Sequence, residues 1–377
     1  MATSTLGKSG FSRHGSWVEV DLEAFAQNVR SIRASLQDRA DLIVVVKSDA
    51  YGHGLSRIAA RAASEGVSRF AVATPDEAMA VRRAAPEGLI LLLGVAVRED
   101  VAALIEHKIV PVIVSEAHGQ ALAAAARELD EALEAHLKFD TGMARLGIPW
   151  EQGVDVMARL LEVRGLSVTG LCSHFATVEA DHSGTGDIQF ARFSQIARRA
   201  PPGLFKHLSS SRAFLCSPEW DSDGVRVGIA AYGYGAMDPR FRVQTHPILQ
   251  WKCRVIQVKS IAADVPVGYY GTHVTQAPTN IAVLGSGYAD GYLRTLSDRG
   301  DVLIRGRRCR VIGRVSMNWI TVDAGPDGDI SEGDEAVLIG RQGDETIWAD
   351  ELAKLCRTIP YEILTSIRPT IERRYVV

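Results

Sequence analysis

The sequence lacks the features that would assign it to several specialised classes of protein. Its 42 Lys and Arg are balanced by 45 Asp and Glu, and the formal charge of −3 excludes the strongly basic footprint of a nucleic-acid-binding protein. No apolar run approaches the roughly 18 residues of a membrane span, and residues 1–15 contain no apolar stretch typical of a signal peptide. We therefore expect a cytoplasmic enzyme that binds neither nucleic acid nor a membrane.

Patterns of cysteine and histidine that indicate disulfides or metal sites are also missing. The five cysteines are widely separated and form no CxxC pair, so we expect reduced thiols rather than a disulfide framework or a zinc ribbon. No HxH or HExxH pattern occurs, which gives metal-dependent hydrolysis little support, and we expect no metal. The cysteines are Cys172, Cys216, Cys253, Cys309 and Cys356.

Short apolar runs alternate with helical patterns over the first two-thirds of the 377 residues. The runs are rich in Val, Ile and Leu, as expected for parallel strands that are buried on both faces. The pattern predicts an α/β fold in which eight strand-helix units close into a (β/α)8 barrel of the TIM type over residues 14–244; an open doubly wound sheet is the alternative. The runs are 43–47, 70–73, 89–94, 109–114, 135–140, 167–174, 204–211 and 225–233.

Two of the helices between these runs have clear signals. Apolar residues at steps of three and four over 22–36 form one stripe of a helix. The string TPDE at 74–77 starts a second helix, with Thr74 as the cap, Pro75 in the first helical position and Glu77 completing a capping box.

The pattern changes from about residue 245. Alternating apolar and polar residues over 251–255 and a turn at 305–306 predict a separate, mainly antiparallel β domain over residues 245–377. Within that domain, only residues 347–356 have a helical pattern. We expect residues 1–13 to be a flexible N-terminus.

Lys47 closes the first apolar run, at the end of a barrel strand where catalytic groups are found. Partial burial there would lower the pKa of its amine from about 10.4 and make it a usable nucleophile or base. A lysine that extends to solvent from a strand end is the alternative.

The string KSDAYGHG, residues 47–54, closely resembles the KANAYGHG string of the bacterial alanine racemases, a family that binds pyridoxal 5′-phosphate. The resemblance implies a racemase that interconverts L- and D-alanine, with D-alanine used for peptidoglycan. It continues in order through WVEVDLEAFAQNVRSIR, FAVATPDEAMAVR, KFDTGMARLG, GLCSHFA, VRVGIAAYG, GYADGYLR, GRVSMNWITVD and PYEILTSI.

By this resemblance, Lys47 forms the covalent imine bond with the cofactor and is one of two catalytic bases; the other is Tyr288. Two bases are needed because racemisation removes the α-hydrogen from one face and returns it to the other. In the family this tyrosine comes from the partner subunit, so a homodimer is implied. The resemblance also places His174 beside the cofactor, where it and Arg145 support the tyrosine through hydrogen bonds. It assigns Arg145 and the backbone N–H of Met317 to the substrate carboxylate.

Arg226 matches the family arginine that lies against the pyridine nitrogen of the cofactor. A guanidinium keeps its own proton, so the ring becomes a weaker electron sink, which favours racemisation over transamination. The phosphate contacts fall on Tyr51, Ser211 and the backbone N–H groups of Gly228 and Ile229. This placement agrees with the general location of barrel phosphate sites after strands seven and eight.

Lys138 matches a family lysine that is often carbamylated by carbon dioxide. The resulting anion would orient Arg145. An unmodified lysine paired with Asp140 or another carboxylate is the alternative.

Several positions depart from the family pattern and leave the substrate open. The residue at the mouth of the pocket, usually aromatic, is proline here, and a smaller group leaves room for a larger side chain. Serine, or a broader range of amino acids, is therefore the alternative to alanine. The departures are Ser48, Asp49, Ser210, Arg212, Asn318 and Pro369.

Two other functions stay open. A barrel decarboxylase that uses the same cofactor normally places a carboxylate against the pyridine nitrogen, and Arg226 argues against it. Single-barrel proteins that carry the cofactor without catalysis lack a β domain, so residues 245–377 argue against that function.

Overall fold

The computed structural model describes residues 15–36, 40–178, 184–235 and 241–377. They form two compact units. We call Asp21–Ile248 the barrel unit, and residues 15–20 together with Leu249–Val376 the β unit. The N-terminal segment 1–13, for which flexibility is predicted, lies outside the described residues.

The β unit includes the first described strand of the chain, β1 (Trp17–Asp21). Its residues Trp17 to Val20 pair antiparallel with residues 249–252. The barrel unit begins at Asp21, whereas the sequence pattern places the start of the barrel domain at residue 14. Sequence did not reveal this boundary, because the short strand runs directly into the first helix without a turn or linker.

All eight predicted apolar runs form strands of one parallel sheet. The last of these strands pairs with the first, Val225 against Leu42, so the sheet is a closed barrel and the open alternative is wrong. The strands are β2 (Asp41–Val45), β3 (Arg69–Val72), β4 (Leu89–Leu92), β5 (Ile109–Ile113), β6 (Leu133–Asp140), β8 (Leu166–Cys172), β9 (Phe205–Ser210) and β10 (Gly224–Val227), with the two-residue β7 (Ile148–Pro149) paired to β6. Burial is nearly continuous along five of these strands, β2 to β5 and β10, as expected for parallel strands covered on both faces.

Helical segments follow the barrel strands. Both helix predictions are confirmed, including the reciprocal capping box between Thr74 and Glu77. The segments are α1 (Leu22–Ala34), α2 (Lys47–Gly52), α3 (Leu55–Ser64), α4 (Pro75–Ala84), α5 (Val101–Glu106), α6 (Glu116–Glu128), α7 (Gly153–Leu161), α8 (Thr185–Ala197) and α9 (Ser211–Cys216).

The β unit is mainly antiparallel, as predicted. The predicted turn at 305–306 is a two-residue hairpin loop in which both residues have positive φ, 51° and 75°. The further strands are β11 (Leu249–Ile261), β12 (Pro266–Val267), β13 (His273–Val274), β14 (Thr279–Leu284), β15 (Asp301–Ile304), β16 (Arg307–Arg310), β17 (Ile320–Gly325), β18 (Glu335–Gln342), β19 (Glu345–Ile347) and β20 (Glu372–Val376).

Two helices occur in the β unit, where the sequence predicts one. The helix predicted at 347–356 is α10 (Ala349–Cys356), and a second, α11 (Pro360–Ser366), was missed. Seven residues are too few for the helical period to stand out, although Pro360 occupies a first-turn position that proline favours. Among the described residues, no helix has both the length and the apolarity needed to cross a bilayer.

Candidate active site

The barrel unit places the predicted cofactor residues at the carboxyl ends of its strands. Lys47 follows β2, Lys138 lies near the end of β6, His174 follows β8, Ser211 follows β9, and Arg226 lies in β10. Parallel strands of a barrel end on one face, which is where barrel enzymes build their active sites.

Lys47 is partly buried, and its ε-amine forms no hydrogen bond or ion pair with any other residue in the described ranges. Burial lowers the pKa of this amine, and the cationic Arg145 and Arg226 lower it further; the carboxylate of Glu77 acts in the opposite direction. A lowered pKa increases the fraction of neutral amine, the form that acts as a nucleophile or base.

The backbone after Lys47 is left-handed. Four consecutive non-glycine residues, Ser48 to Tyr51, have φ between 52° and 55°. The left-handed conformation is about 1–2 kcal/mol less favourable for each L-residue than the right-handed one, so contacts with surrounding residues must stabilise the turn. One of these contacts is the Asp49 carboxylate, which accepts the N–H of Leu55 at 2.8 Å.

Arg226 is 5% exposed, and a dense set of acceptors holds its guanidinium. Nη1 donates to the carbonyl of His207 at 2.9 Å, and Nη2 to the carbonyls of Ser173 and Leu208 at 2.7 and 3.0 Å. Nη1 also lies 2.6 Å from His207 Nδ1, and Nη2 lies 3.2 Å from His174 Nδ1. A guanidinium only donates, so both Nδ1 atoms are acceptors, and each neutral ring carries its proton on Nε2.

The network continues to a second buried imidazole, because His207 Nε2 lies 2.8 Å from His136 Nδ1. Burial, with smaller contributions from Arg69 and Arg226, lowers the pKa of His136 to about 3. Burial also lowers the pKa of His207 far below its usual value. Neither histidine is predicted as a site residue from the sequence. Their placement inside apolar runs is the only available signal, and it equally fits a core residue.

The predicted phosphate residues come together after β9 and β10. Ser211 Oγ accepts the backbone N–H of Gly228 at 2.9 Å and that of Ala230 at 3.4 Å, which leaves its O–H to donate. A Cβ at Gly228 would lie 2.3 Å from Tyr51 Oη, so only glycine allows this approach. Ile229, the other predicted backbone donor, is the next residue.

The loop after β6 is organised by one carboxylate. Asp140 accepts backbone N–H groups from residues 142–145 at 2.9–3.1 Å, and these bonds outweigh burial and lower its pKa. The loop carries Arg145, whose side chain is exposed. Burial lowers the pKa of Lys138, and no carboxylate among the described residues forms an ion pair with it.

The β unit brings together the other two predicted site residues. The backbone N–H of Tyr288 donates to Ser316 at 3.0 Å, and that of Ala289 donates to Met317 at 2.9 Å. A Cβ at Gly287 would lie 2.4 Å from the Ser316 carbonyl, so the two loops touch backbone to backbone. Tyr288 is 41% exposed and Met317 is 55% exposed.

Three of the departures from the family pattern lie at or near the protein surface or against an aromatic ring. Arg212 lies over the ring of Phe241, 4.8 Å from its centroid. Asn318 and Pro369 are exposed. The segment that contains Pro369 is joined to the Tyr288 loop, because the Arg368 N–H donates to the Asp290 carbonyl at 3.0 Å.

Two family models match this chain over almost its whole length. Residues 20–236 match the N-terminal domain of alanine racemase, and residues 248–375 match its C-terminal domain. The chain belongs to the alanine racemase family.

Individual members of the alanine racemase family show the same similarity. Alanine racemase from Carboxydothermus hydrogenoformans is 39% identical over 370 residues, which cover 96% of this chain and 99% of that protein. The structure of alanine racemase from D-cycloserine producing Streptomyces lavendulae has a TM-score of 0.90, 31% identity, and coverage of 97% and 98% of the two chains. The structure from Bartonella henselae, which contains covalently bound pyridoxal phosphate, has a TM-score of 0.87, 26% identity, and coverage of 96% and 99%.

The barrel unit has the donors that the cofactor of the alanine racemase family requires. The Nε–H of Arg226 makes no hydrogen bond to another described residue, so it is available to a ring nitrogen. The Ser211 hydroxyl and the close approach at Gly228 form a cradle suited to a phosphate. Together with the amine of Lys47, these groups fit pyridoxal 5′-phosphate.

The buried imidazoles of this alanine racemase family member predict a loss of stability in acid. Burial holds the pKa of His136, His174 and His207 below that of the unfolded chain. Between about pH 6.5 and the folded pKa, the unfolded chain binds protons that the folded chain does not. The free energy of unfolding therefore falls as pH drops through this window, by about 1.4 kcal/mol per imidazole for each pH unit, and is unaffected by these groups above it.

Urea unfolding at pH 7.5 and pH 5.5 measures this effect. His136→Gln is expected to reduce the difference between the free energies of unfolding measured at the two pH values. The control His273→Gln, at a histidine of the β unit, is expected to leave it unchanged. Equal reductions in both variants would contradict the assignment to the buried network.

Proposed function

We propose that this chain is an alanine racemase that interconverts L- and D-alanine with pyridoxal 5′-phosphate. The observation that carries the proposal is the arrangement at the carboxyl ends of the barrel strands. There, Lys47 has an amine of lowered pKa, and Arg226 is locked as a full cation by two neutral imidazoles and three carbonyls. Membership of the alanine racemase family supports the same activity.

Residues of the barrel unit would hold the cofactor. We assign the covalent bond to Lys47 and the ring nitrogen to the Nε–H of Arg226. The phosphate is assigned to Ser211, Tyr51 and the N–H groups of residues 228–229, of which the Gly228 N–H is shared with Ser211 Oγ. When bound, the cofactor supplies an electron-withdrawing ring that acidifies the α-hydrogen of an attached amino acid. Arg226 keeps its own proton, so it would hold the ring nitrogen without protonating it, and this would favour return of the hydrogen to the α-carbon.

Lys47 and Tyr288 are the two bases in this proposal. The amine of the substrate would replace Lys47 in the bond to the cofactor, which frees the Lys47 Nζ to accept or return the α-hydrogen on one face. Tyr288 does so at its Oη on the other face. His174 accepts from Arg226 at Nδ1 and so carries its proton on Nε2, where it can donate to the phenol oxygen. Such a donor stabilises the phenolate, the form that accepts a proton.

Arg145 and the backbone N–H of Met317 are assigned to the substrate carboxylate. We also propose that Lys138 is carbamylated and orients Arg145. Its lowered pKa supports this, because only the neutral amine reacts with carbon dioxide. A carbamate resonance in carbon NMR after incubation with labelled bicarbonate is the expected result, and it should be absent in Lys138→Gln.

A chiral assay tests the proposed activity. Purified protein with added cofactor is expected to convert L-alanine to D-alanine, and the reverse, without releasing carbon dioxide. The same assay on serine, lysine and arginine tests the broader specificity suggested by Asn318 and Pro369, with alanine expected to have the highest kcat/KM. Release of carbon dioxide would indicate a decarboxylase instead, and binding without turnover a cofactor carrier.

We further propose that the chain works as a homodimer in the cytoplasm, with each active site completed by Tyr288 of a second copy. The support is the family relationship and the location of Tyr288 and Met317 on the β unit rather than the barrel unit. Light scattering after size-exclusion chromatography is expected to give twice the chain mass of 40.8 kDa.

A further inference from the structure

Glu77, the third residue of α4, does more than complete a capping box. Its Oε1 accepts the N–H of Ser48 at 2.6 Å, and this N–H belongs to the peptide bond that follows Lys47. Its Oε2 accepts the N–H groups of Ala73 and Thr74 at 2.9 and 3.3 Å. One carboxylate therefore joins the segments that follow two neighbouring barrel strands, β2 and β3.

The contact with Ser48 is made at the entrance to the left-handed turn. Ser48 is the first of the four residues with positive φ, and L-residues do not hold this conformation unaided. The hydrogen bond between Asp49 and Leu55 stabilises the later part of the turn. The hydrogen bond between Glu77 and Ser48 stabilises its beginning, next to Lys47.

Glu77 also carries the negative charge that acts on the Lys47 amine. The other charged groups acting on this amine are the guanidiniums of Arg145, on the loop after β6, and of Arg226, in β10. His174, after β8, also lies near Lys47 and is neutral. In the described part of the chain, Glu77 alone offsets the two cations.

We propose that Glu77 is the positioning residue for Lys47: it fixes the Lys47–Ser48 peptide and balances the arginine charges around the amine. The inference rests on the proposed function, in which Lys47 bonds to the cofactor and moves the α-hydrogen. Consistent with it, the Glu77 charge raises the pKa of Lys47 against the effects of burial and of the arginines. Loss of that charge lowers the pKa further.

The test follows cofactor capture by the apoenzyme. Apoenzyme is mixed with pyridoxal 5′-phosphate at a series of pH values, and the rate at which visible absorbance appears gives the apparent pKa of the reacting amine. Glu77→Gln keeps the size of the side chain and one oxygen acceptor but removes the charge, and it is expected to lower the midpoint by about 1 pH unit. Glu77→Asp keeps the charge at shorter reach and is expected to restore the midpoint towards wild type.

Two matched controls separate positioning from helix capping. Asp76→Asn removes the neighbouring, exposed carboxylate in the same first turn of α4. Thr74→Ala removes the hydroxyl that caps α4 but leaves the backbone contacts of Glu77 in place. Both are expected to keep the wild-type midpoint, although Thr74→Ala unfolds at lower temperature.

Turnover supplies a second measurement. Glu77→Ala is expected to lower kcat by about 10–100-fold with a smaller change in KM, because a displaced Lys47 impairs hydrogen transfer more than substrate binding. A wild-type midpoint in Glu77→Gln, or an equal shift in Thr74→Ala, would overturn the inference. If the wild-type apoenzyme forms no visible absorbance at any pH, the proposed function fails instead.

Discussion

A Lys47→Ala variant is expected to purify without the visible absorbance of a bound cofactor and to racemise alanine at least about 10³-fold more slowly. The substitution removes the partly buried amine that would hold the cofactor and act as one base. Absorbance spectra and a chiral assay with added pyridoxal 5′-phosphate measure the two effects.

The matched control is Lys206→Ala. Lys206 lies in β9, where its amine donates to the Leu204 carbonyl at 3.0 Å and pairs with Asp223. Its removal is expected to leave colour and turnover intact. Full colour in Lys47→Ala would show that another lysine bears the cofactor, and Lys138, whose pKa burial also lowers, would be the next candidate.

A Tyr288→Phe variant is expected to slow exchange of the α-hydrogen with solvent about 10²–10⁴-fold for one enantiomer of alanine and far less for the other. The ring remains, but the oxygen that takes the hydrogen on one face is lost, while Lys47 still serves the opposite face. Proton NMR in deuterium oxide, started separately from L- and D-alanine, measures both rates. Equal losses for the two enantiomers would contradict the assignment of separate bases to separate faces.

The same two variants test whether the active site is shared between subunits. If Tyr288 comes from the partner, mixing Lys47→Ala with Tyr288→Phe under conditions of subunit exchange creates dimers with one intact site. Random pairing then restores about a quarter of wild-type activity. No recovery, despite demonstrated exchange, would place both bases in one chain.

The barrel strands could be predicted because the Val, Ile and Leu content of each run is a local signal, which can be read without knowing what the strand packs against. Residues 90–92 of β4 and all of β5 (Ile109–Ile113) are buried, so the composition of these runs alone indicates a covered parallel sheet. The capping box at Thr74 and Glu77 is similarly local, because all of its hydrogen bonds lie within four residues. What the sequence could not show was the hydrogen bond from Glu77 to Ser48, 29 residues away.

Other features were missed for the same reason. The imidazoles of His136 and His207 meet only because β6, β8 and β9 are neighbours in the closed sheet. The left-handed turn after Lys47 contradicts the usual preference of Ser, Ala and Tyr, so no propensity argument predicts it. Candidate site residues could therefore be predicted from the resemblance of motifs. The groups that hold these residues in place could be identified only from the structure.

The position of β1 has a consequence for how the molecule is made. In the sheet, β1 lies between β11 and β20, and Ser16 already bonds to Lys252, 236 residues later. During translation β1 leaves the ribosome first, and the barrel residues follow before β11 and β20 are synthesised. β1 therefore stays unpaired until both of its neighbouring strands have been made. A fragment expressed from Leu249 onward would expose edges on β11 and β20, whereas a circular permutant that carries residues 15–20 after β20 would synthesise the whole sheet in one stretch.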